Sequence, residues 1–256
     1  MRAVALSTAL VLVQAVRAQH VTAVQSNAWA SLNVQVQVGD RWWVVQEEQF
    51  RRSNGFADPM QAGFLFGVEH RKGPWSLQPG YAYWINYPYG TFRTIATQRE
   101  HRFWLQAAFK HAIGSSGLEH RLRLEDRLLE RFAASSEGPR SQGFVPVWRL
   151  RYRAQLTVPL NKKKDVAGEL TGVLAQEVFL RFGDPAFVGA FDQTRSSAQL
   201  AWRCSGAVRV LAGYQFQYLV RANGVQREDD HTFIAGIQLR FPRSAGRSPD
   251  PAGMPR

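Results

Sequence analysis

Two neighbouring stretches of this chain alternate strictly between charged and apolar residues, and this alternation limits the folds open to it. In residues 118–131 the charged side chains fall mainly on odd positions, and Arg149, Arg151 and Arg153 do the same in residues 147–160. A period of two places successive side chains on opposite faces of a β-strand. A helix would spread the same arginines around its surface and leave no apolar stripe to bury. We therefore predict two strands with one apolar and one densely ionic face.

Similar alternating or aromatic-rich segments recur along the chain, separated by residues typical of turns. Eleven are visible, at 27–38, 41–52, 60–71, 74–87, 99–113, 118–131, 147–160, 168–182, 193–204, 207–220 and 231–241. Short connections at 39–40, 72–73, 114–117, 161–165 and 205–206 alternate with longer ones at 53–59, 88–98, 132–146, 183–192 and 221–230. One rim of short turns and one of long loops is typical of outer-membrane barrels, with the short turns on the periplasmic side.

The number of strands follows less directly. Eleven strands would leave the chain ends on opposite rims, whereas bacterial barrels have even numbers. Either a further short strand lies between Gln19 and Ser26, or one visible segment does not belong to the wall. We favour the first and expect about 12 strands, within a range of roughly 10 to 12. The predicted fold is all-β, an antiparallel up-and-down transmembrane barrel whose apolar face meets lipid and whose polar face is enclosed.

The start of the chain has the features of an export signal. Arg2 precedes an apolar run from Val4 to Val13, and small residues lead to Ala18. The run is shorter than the roughly 20 residues that cross a bilayer as a helix. We predict a cleaved signal peptide at 1–18, a barrel at 19–241 and a disordered Pro- and Gly-rich basic tail at 242–256.

The net charge of +12 is strongly basic and could indicate a nucleic-acid partner. Export and the placement of many arginines at alternate strand positions argue against nucleic acid. They favour an anionic membrane or a charged lumen instead. The predicted location is the bacterial outer membrane, and the expected partners are its lipid, lipopolysaccharide or phospholipid, and the machinery that inserts such barrels. The sequence identifies no protein partner.

Aromatic residues gather near the predicted strand ends. Two interfacial belts would place Trp42, Trp43, Trp75 and Trp202 by the short turns and Trp29, Trp84, Tyr87, Tyr89 and Trp148 toward the long loops. The alternative is that these are ordinary core aromatics of a soluble sandwich. The positions of one parity from Trp75 to Tyr87, and from Val208 to Tyr218, suit contact with lipid. Pro79 cannot donate to a strand ladder, so we expect a bulge there.

The two halves of the chain share short motifs in the same order. Glu48 and Phe50 match Glu177 and Phe179, Gly80-Tyr81 matches Gly213-Tyr214, and residues 98–109 match 226–241. The order indicates a duplicated block. Convergent hairpin patterning is the alternative explanation.

Several motifs, taken in order, resemble a known family. They are W-x-x-L from Trp29, EHRFW at 100–104, EHRLRLEDR at 119–127, RLRYR at 149–153, QEVF at 176–179, DQTR at 192–195, two Gly-Tyr pairs and His231. Together they resemble the bacterial outer-membrane-barrel family catalogued as domain of unknown function 2490. The resemblance covers nearly the whole chain after the signal peptide and implies a Gram-negative outer-membrane barrel without a settled activity. It supplies no catalytic residues.

The best candidate for function is the polar parity of the central strands. Its residues would meet across adjacent strands inside a narrow barrel; they are Glu100, Arg102, Glu119, Arg121, Arg123, Glu125, Arg127, Arg149, Arg151, Arg153 and Glu177. We expect the network mainly to fill and rigidify a largely plugged interior, because buried charges are stable only when paired. Arginines outnumber glutamates, however, so a narrow path or site for a small anionic solute is the functional interpretation.

The alternative function is an outer-membrane lipid hydrolase. Such an enzyme needs a nucleophile beside a histidine, and His101 with Ser196 or Ser197 is the candidate arrangement, although no spacing connects them. The repeated EHR motif places each His on the parity opposite to its Glu and Arg, which disfavours a metal site. We predict no cofactor and no metal, and the sequence favours a structural or small-solute module over an enzyme.

Overall fold

The alternating segments all form strands. The computed structural model describes residues 20–243, which contain eleven β-strands and no helix long and apolar enough to cross a membrane. The strands are β1 Val21–Gln37, β2 Trp42–Ser53, β3 Asp58–Lys72, β4 Trp75–Asn86, β5 Gln98–Ile113, β6 Ser116–Ala133, β7 Arg140–Pro159, β8 Leu170–Phe182, β9 Phe191–Arg203, β10 Val208–Val220 and β11 Gln226–Phe241. The predicted signal peptide and residues 244–256 of the predicted tail lie outside the described residues.

The eleven strands of residues 20–243 close into a barrel in which each strand pairs with its sequence neighbours. All these pairs are antiparallel except the closing one, where β1 and β11 run parallel from Val21↔Gln226 to Val36↔Phe241. The count lies within the expected range, but the additional strand that we favoured does not form. Residues 21–26 instead extend β1 and pair with the start of β11. The two ends of the barrel sequence therefore lie on opposite rims.

The connections on the two rims differ in length, with two departures from the prediction. The short-turn rim carries the connections 38–41, 73–74, 114–115, 160–169 and 204–207, and the long-loop rim carries 54–57, 87–97, 134–139, 183–190 and 221–225. The 54–57 turn is tight because Asn54 and Gly55 adopt positive φ angles of 54° and 58°. The 160–169 connection is longer than predicted, and the Asn161 amide closes it by donating to the Gly168 carbonyl at 2.8 Å.

Apolar side chains cover the outside of the barrel. On β4 and β10 the outward residues include Leu77, 49% exposed, and Tyr214, 47% exposed, on the parity predicted to meet lipid. Phe66, Phe103 and Leu122 continue the same surface on other strands, each at least half exposed. Pro79 interrupts the β3–β4 ladder without the predicted bulge, because the register is the same on either side of it.

The predicted aromatic belts form only in part. Trp42, Trp75 and Trp202 are exposed near the short-turn rim, and Trp148 is exposed toward the long-loop rim. The prediction was wrong for the others. Trp43 and Trp84 are buried, and the lumen cavity is lined in part by Trp29, Trp84, Tyr87 and Tyr89. For these tryptophans the reason is parity, since a tryptophan at the inward position of a strand faces the lumen whatever its distance from the rim.

Hydrogen-bonded Tyr–His clusters lie at both of the matched Gly-Tyr motifs, six strands apart. On β4 and β5 the Tyr81 hydroxyl lies 2.8 Å from His101 Nδ1, with ring planes at 34°. On β10 and β11 the Tyr214 hydroxyl lies 2.6 Å from His231 Nδ1, again with ring planes at 34°. These clusters include the Gly-Tyr motifs that match in sequence.

The sequence match of Glu48 with Glu177 does not agree with this repeat. Glu48 shares the outward face of β2 with Phe50, which is 49% exposed, whereas Glu177 is buried and lines the lumen. Glu47, one residue earlier on β2, also lines the lumen. The corresponding pair is therefore Glu47 with Glu177, because alternation fixes the face of each position.

Candidate functional site: the charged lumen

The eleven charged residues predicted for the lumen lie on four consecutive strands. Glu100 and Arg102 come from β5, while the others are spread along β6, β7 and β8. All are on the inward parity, and Glu100 and Glu125 have no exposed surface. The predicted network thus forms one side of the barrel interior rather than a complete ring.

Glu125 is the centre of this network. Its Oε2 accepts hydrogen bonds from Arg149 Nε at 2.7 Å and Nη2 at 2.6 Å. Its Oε1 accepts from Arg151 Nη1 at 2.7 Å. Arg102 and Arg123 lie within 3.8 and 3.9 Å of the same carboxylate. One buried negative charge is therefore surrounded by four guanidinium groups from three strands.

Further ion pairs connect the other predicted residues. The pairs are Glu177 with Arg121 at 2.7 Å and Arg151 at 2.9 Å, Glu100 with Arg102 and Arg127 both at 2.7 Å, and Glu119 with Arg153 at 2.8 Å. Arg151 therefore bridges the carboxylates of Glu125 and Glu177. Every predicted lumen charge takes part in an ion pair.

Sequence reasoning missed charges that complete the network. Lys110, on β5, lies 2.9 Å from Glu119. Asp192, at the start of β9, lies 3.6 Å from Arg149 and 3.4 Å from Arg181. The inward parity of β5 would have included Lys110. Asp192 lies just before the predicted start of its strand at 193, so the pattern did not include it.

The opposite side of the lumen is built differently. There Arg51 on β2 and Arg195 on β9 both stack on the Trp29 indole, with guanidinium carbons 4.0 and 4.8 Å from the ring centroid. Arg51 also lies 4.8 Å from the ring of Trp84, and Arg195 lies 4.7 Å from that of Phe179. These residues were missed as lumen residues, although the polar parity of β1, from Asn27 to Gln37, would have identified Trp29 as inward.

A cavity of about 940 Å³ remains between the two sides, so the side chains plug the lumen only partly. Its lining runs from Arg203 and Arg240 near the short-turn rim to Phe92 and Phe187 in loops of the long-loop rim. Among the residues that the structure describes, seventeen of those lining it are Lys or Arg and five are Asp or Glu. The cavity therefore has a strongly positive wall.

Loops of the long-loop rim fold across the mouth of this cavity. The 87–97 loop starts at β4 and reaches Gln25 on β1, where a Cβ on Gly90 would come within 2.5 Å of the glutamine side chain. In the same loop the Tyr89 ring lies 6.0 Å from the Arg221 guanidinium, in the β10–β11 connection. Arg221 donates in turn to Glu228 at 2.7 Å. Burial raises the pKa of the Tyr89 phenol above its usual range, so this hydroxyl remains protonated.

The candidate hydrolase residues are not brought together. His101 faces outward on β5 and bonds Tyr81, whereas Ser196 faces outward on β9 and donates to Gln176. Three strands separate β5 from β9 in the barrel, and Ser197 is on the inward parity. This arrangement contains no nucleophile beside His101 among these residues.

Comparisons with known proteins identify a family and include a solved porin structure. The family model described as "Protein of unknown function (DUF2490)" matches residues 26–228. A crystal structure of the NanC porin, in a rhombohedral form, aligns with a TM-score of 0.48 and 12% sequence identity, over 82% of this chain and 91% of that one. No curated protein matches the chain.

Proposed function

This chain belongs to the DUF2490 family, whose description assigns no activity, and from its geometry we propose that it is an outer-membrane barrel that passes small anionic solutes. The observation that carries the proposal is the excess of cationic side chains along a cavity that extends from one rim to the other. A low-dielectric wall lined by charges of one sign concentrates counter-ions and excludes ions of the same sign.

The outer surface supports a membrane location. Large apolar side chains are exposed on most strands, and a soluble protein rarely exposes such a continuous surface. Closure of the sheet gives every strand a hydrogen-bonded neighbour on both sides and leaves no open edge, as a hydrocarbon environment requires. Several polar groups on the outer face are paired within the wall: Gln46 donates to Glu48 at 3.0 Å, and Gln176 donates to Thr194 at 2.6 Å. Such pairing lowers the free-energy cost of placing them against lipid.

The barrel dimensions favour small solutes. Eleven strands enclose a narrower interior than the 16 or so that leave a broad aqueous channel. The ion pairs on β5 to β8 occupy one side of that interior, and the 87–97 loop covers part of one mouth. We therefore propose a restricted path in the membrane of a Gram-negative bacterium. Insertion there would involve outer-membrane lipid and the barrel-insertion machinery, with the short turns in the periplasm.

Ion selectivity in planar bilayers tests this function. The purified chain, in a KCl gradient, is expected to conduct with a reversal potential on the anion side. Arg195→Glu should move that potential toward cation selectivity, because it reverses a charge on the cavity wall. Lys72→Glu is the matched control, since this exposed residue at the end of β3 makes the same charge change on the outward parity. Absence of conductance, or cation selectivity of the unmodified protein, would contradict the proposal.

A further inference from the structure

We infer that Arg51 and Arg195 form an oxyanion-binding site in the part of the lumen nearer the long-loop rim, which takes a carboxylate or phosphate group of a small solute. The inference deepens the proposed function, on which it rests for the route by which a solute reaches the site. Trp29, which both arginines contact, is the central residue of β1 Val21–Gln37. A solute passing between the rims would therefore pass these two groups.

Neither arginine is in direct contact with a carboxylate in the part of the chain that the structure describes. Within residues 20–243, no carboxylate lies within ion-pair distance of Arg51 or Arg195, in contrast to the arginines opposite. Arg51 donates only to the amide oxygens of Gln49 and Gln61, both at 2.6 Å, and Arg195 Nε donates to that of Gln217 at 2.8 Å. An amide oxygen orients a guanidinium but leaves its charge uncompensated.

Donors without partners remain at this wall. Arg51 Nε is buried and has no hydrogen-bond partner among residues 20–243, and the same holds for Nε2 of Gln215, on β10 beside β9. Arg51, Arg195 and Gln215 all line the cavity. A buried donor without a partner is unfavourable, and a bound oxyanion with several lone pairs would recover part of that cost.

Aromatic stacking holds the two cations in place before any ligand arrives. Trp29 contacts both guanidinium groups, Trp84 also contacts that of Arg51, and Phe179 also contacts that of Arg195. Cation–π contact is favourable but leaves the positive charge of both arginines in place. Such preorganisation reduces the entropy lost when a ligand binds. The planar fork of arginine matches the two oxygens of a carboxylate or phosphate, so an oxyanion is preferred over chloride.

Binding to the full-length, detergent-solubilised protein tests the site independently of conductance. Inorganic phosphate and succinate are titrated calorimetrically at constant ionic strength in a chloride buffer. Saturable binding of either probe is expected, and the two titrations distinguish a phosphate site from a carboxylate site. Arg51→Gln and Arg195→Gln should each weaken binding by about 10- to 100-fold, because each removes charge-assisted hydrogen bonds. Should a glutamine variant not fold, Arg51→Lys and Arg195→Lys keep the charge but lose the fork, and weaker binding is again expected.

Arg209→Gln is the matched control. Arg209 lines the same cavity and has no carboxylate partner among the described residues, but it bonds Thr171 near the short-turn rim. The Arg209→Gln variant should bind both probes like the unmodified protein. The site is disproved if neither probe binds, or if the Arg51 and Arg195 variants bind as tightly as Arg209→Gln. Probe binding without conductance would leave the site intact and disprove the transport function, whereas conductance without probe binding would do the reverse.

Discussion

Glu125 Oε2 accepts two hydrogen bonds from Arg149, one from Nε at 2.7 Å and one from Nη2 at 2.6 Å. Both side chains are buried, and the carboxylate has no exposed surface. In such a position the attraction between the charges largely offsets the cost of removing them from water. The contribution of this pair to stability is therefore best tested by removing the charge of one member.

Glu125→Gln should destabilise the barrel by about 3 to 5 kcal/mol, because it leaves buried guanidinium groups without their negative charge. Urea unfolding of the protein refolded into lipid vesicles measures this free energy. Glu47→Gln is the control, since Glu47 lines the cavity on β2 without an arginine partner in the described part of the chain. Equal stability of both variants would show that the network contributes no net stabilisation.

Gly80→Ala should also destabilise the barrel. A Cβ at this inward position would lie 2.1 Å from Cζ2 of Trp104, so the indole, which contacts Arg123 at 4.3 Å, must shift. Overpacking of this kind costs about 1 to 3 kcal/mol. Gly117→Ala provides the comparison, because a Cβ there meets no atom within 4 Å. The same urea titration should separate the two variants, and identical midpoints would contradict the packing shown here.

Tyr89→Ala should increase the single-channel conductance, since it removes the ring that the 87–97 loop places against Arg221 in the lumen mouth. Tyr89→Phe retains the ring and should conduct like the unmodified protein. Burial raises the pKa of Tyr89, so this phenol should remain neutral at pH 10, where exposed tyrosines are half ionised. Raising the pH through 10 should consequently cause no change in conductance through ionisation of Tyr89. If the alanine variant conducts no better, the loop does not limit the path.

Cys204 offers a direct test of orientation. It is the single cysteine of the sequence, and it is exposed in the β9–β10 turn on the short-turn rim. A membrane-impermeant maleimide added to intact cells should leave it unlabelled, and the same reagent should label it after the outer membrane is permeabilised. A cysteine placed at Ser135, exposed in the 134–139 loop, should show the opposite accessibility in a Cys204→Ser background. Labelling of Cys204 in intact cells would reverse the proposed orientation.

Strand positions and faces could be read from the sequence because a period of two is a local property. The eleven segments and the inward parity of Arg149, Arg151 and Arg153 needed only that period. The contacts of the Trp29 indole could not be predicted from this period. Its indole contacts Arg51, its partner across the β1–β2 hairpin, and Arg195 of β9, which approaches β1 only because the sheet closes. Distance from the rim suggested an interfacial tryptophan, whereas the polar parity of β1 places Trp29 in the lumen wall.

The strand number shows a second limit of local patterns. Residues 21–26 have strand character, but nothing within them distinguishes a separate strand from a longer β1. The difference comes from pairing with residues 226–231 at the other end of the chain. The arginines on the Trp29 side of the cavity were missed for a related reason. Arg51 and Arg195 are far apart in sequence and become neighbours of one indole only in the closed barrel.

The parallel junction of β1 and β11 also constrains how the barrel assembles. A hairpin cannot make a parallel pair, so this seam joins residues such as Val21 and Gln226 that no short turn holds together. This pairing has the largest loop-closure entropy cost of any in the wall. We therefore expect it to form last, after the ten antiparallel strand pairs. Until that moment two unpaired edges face the bilayer, and the seam is where an assembly factor would have to guide the first strand against the last.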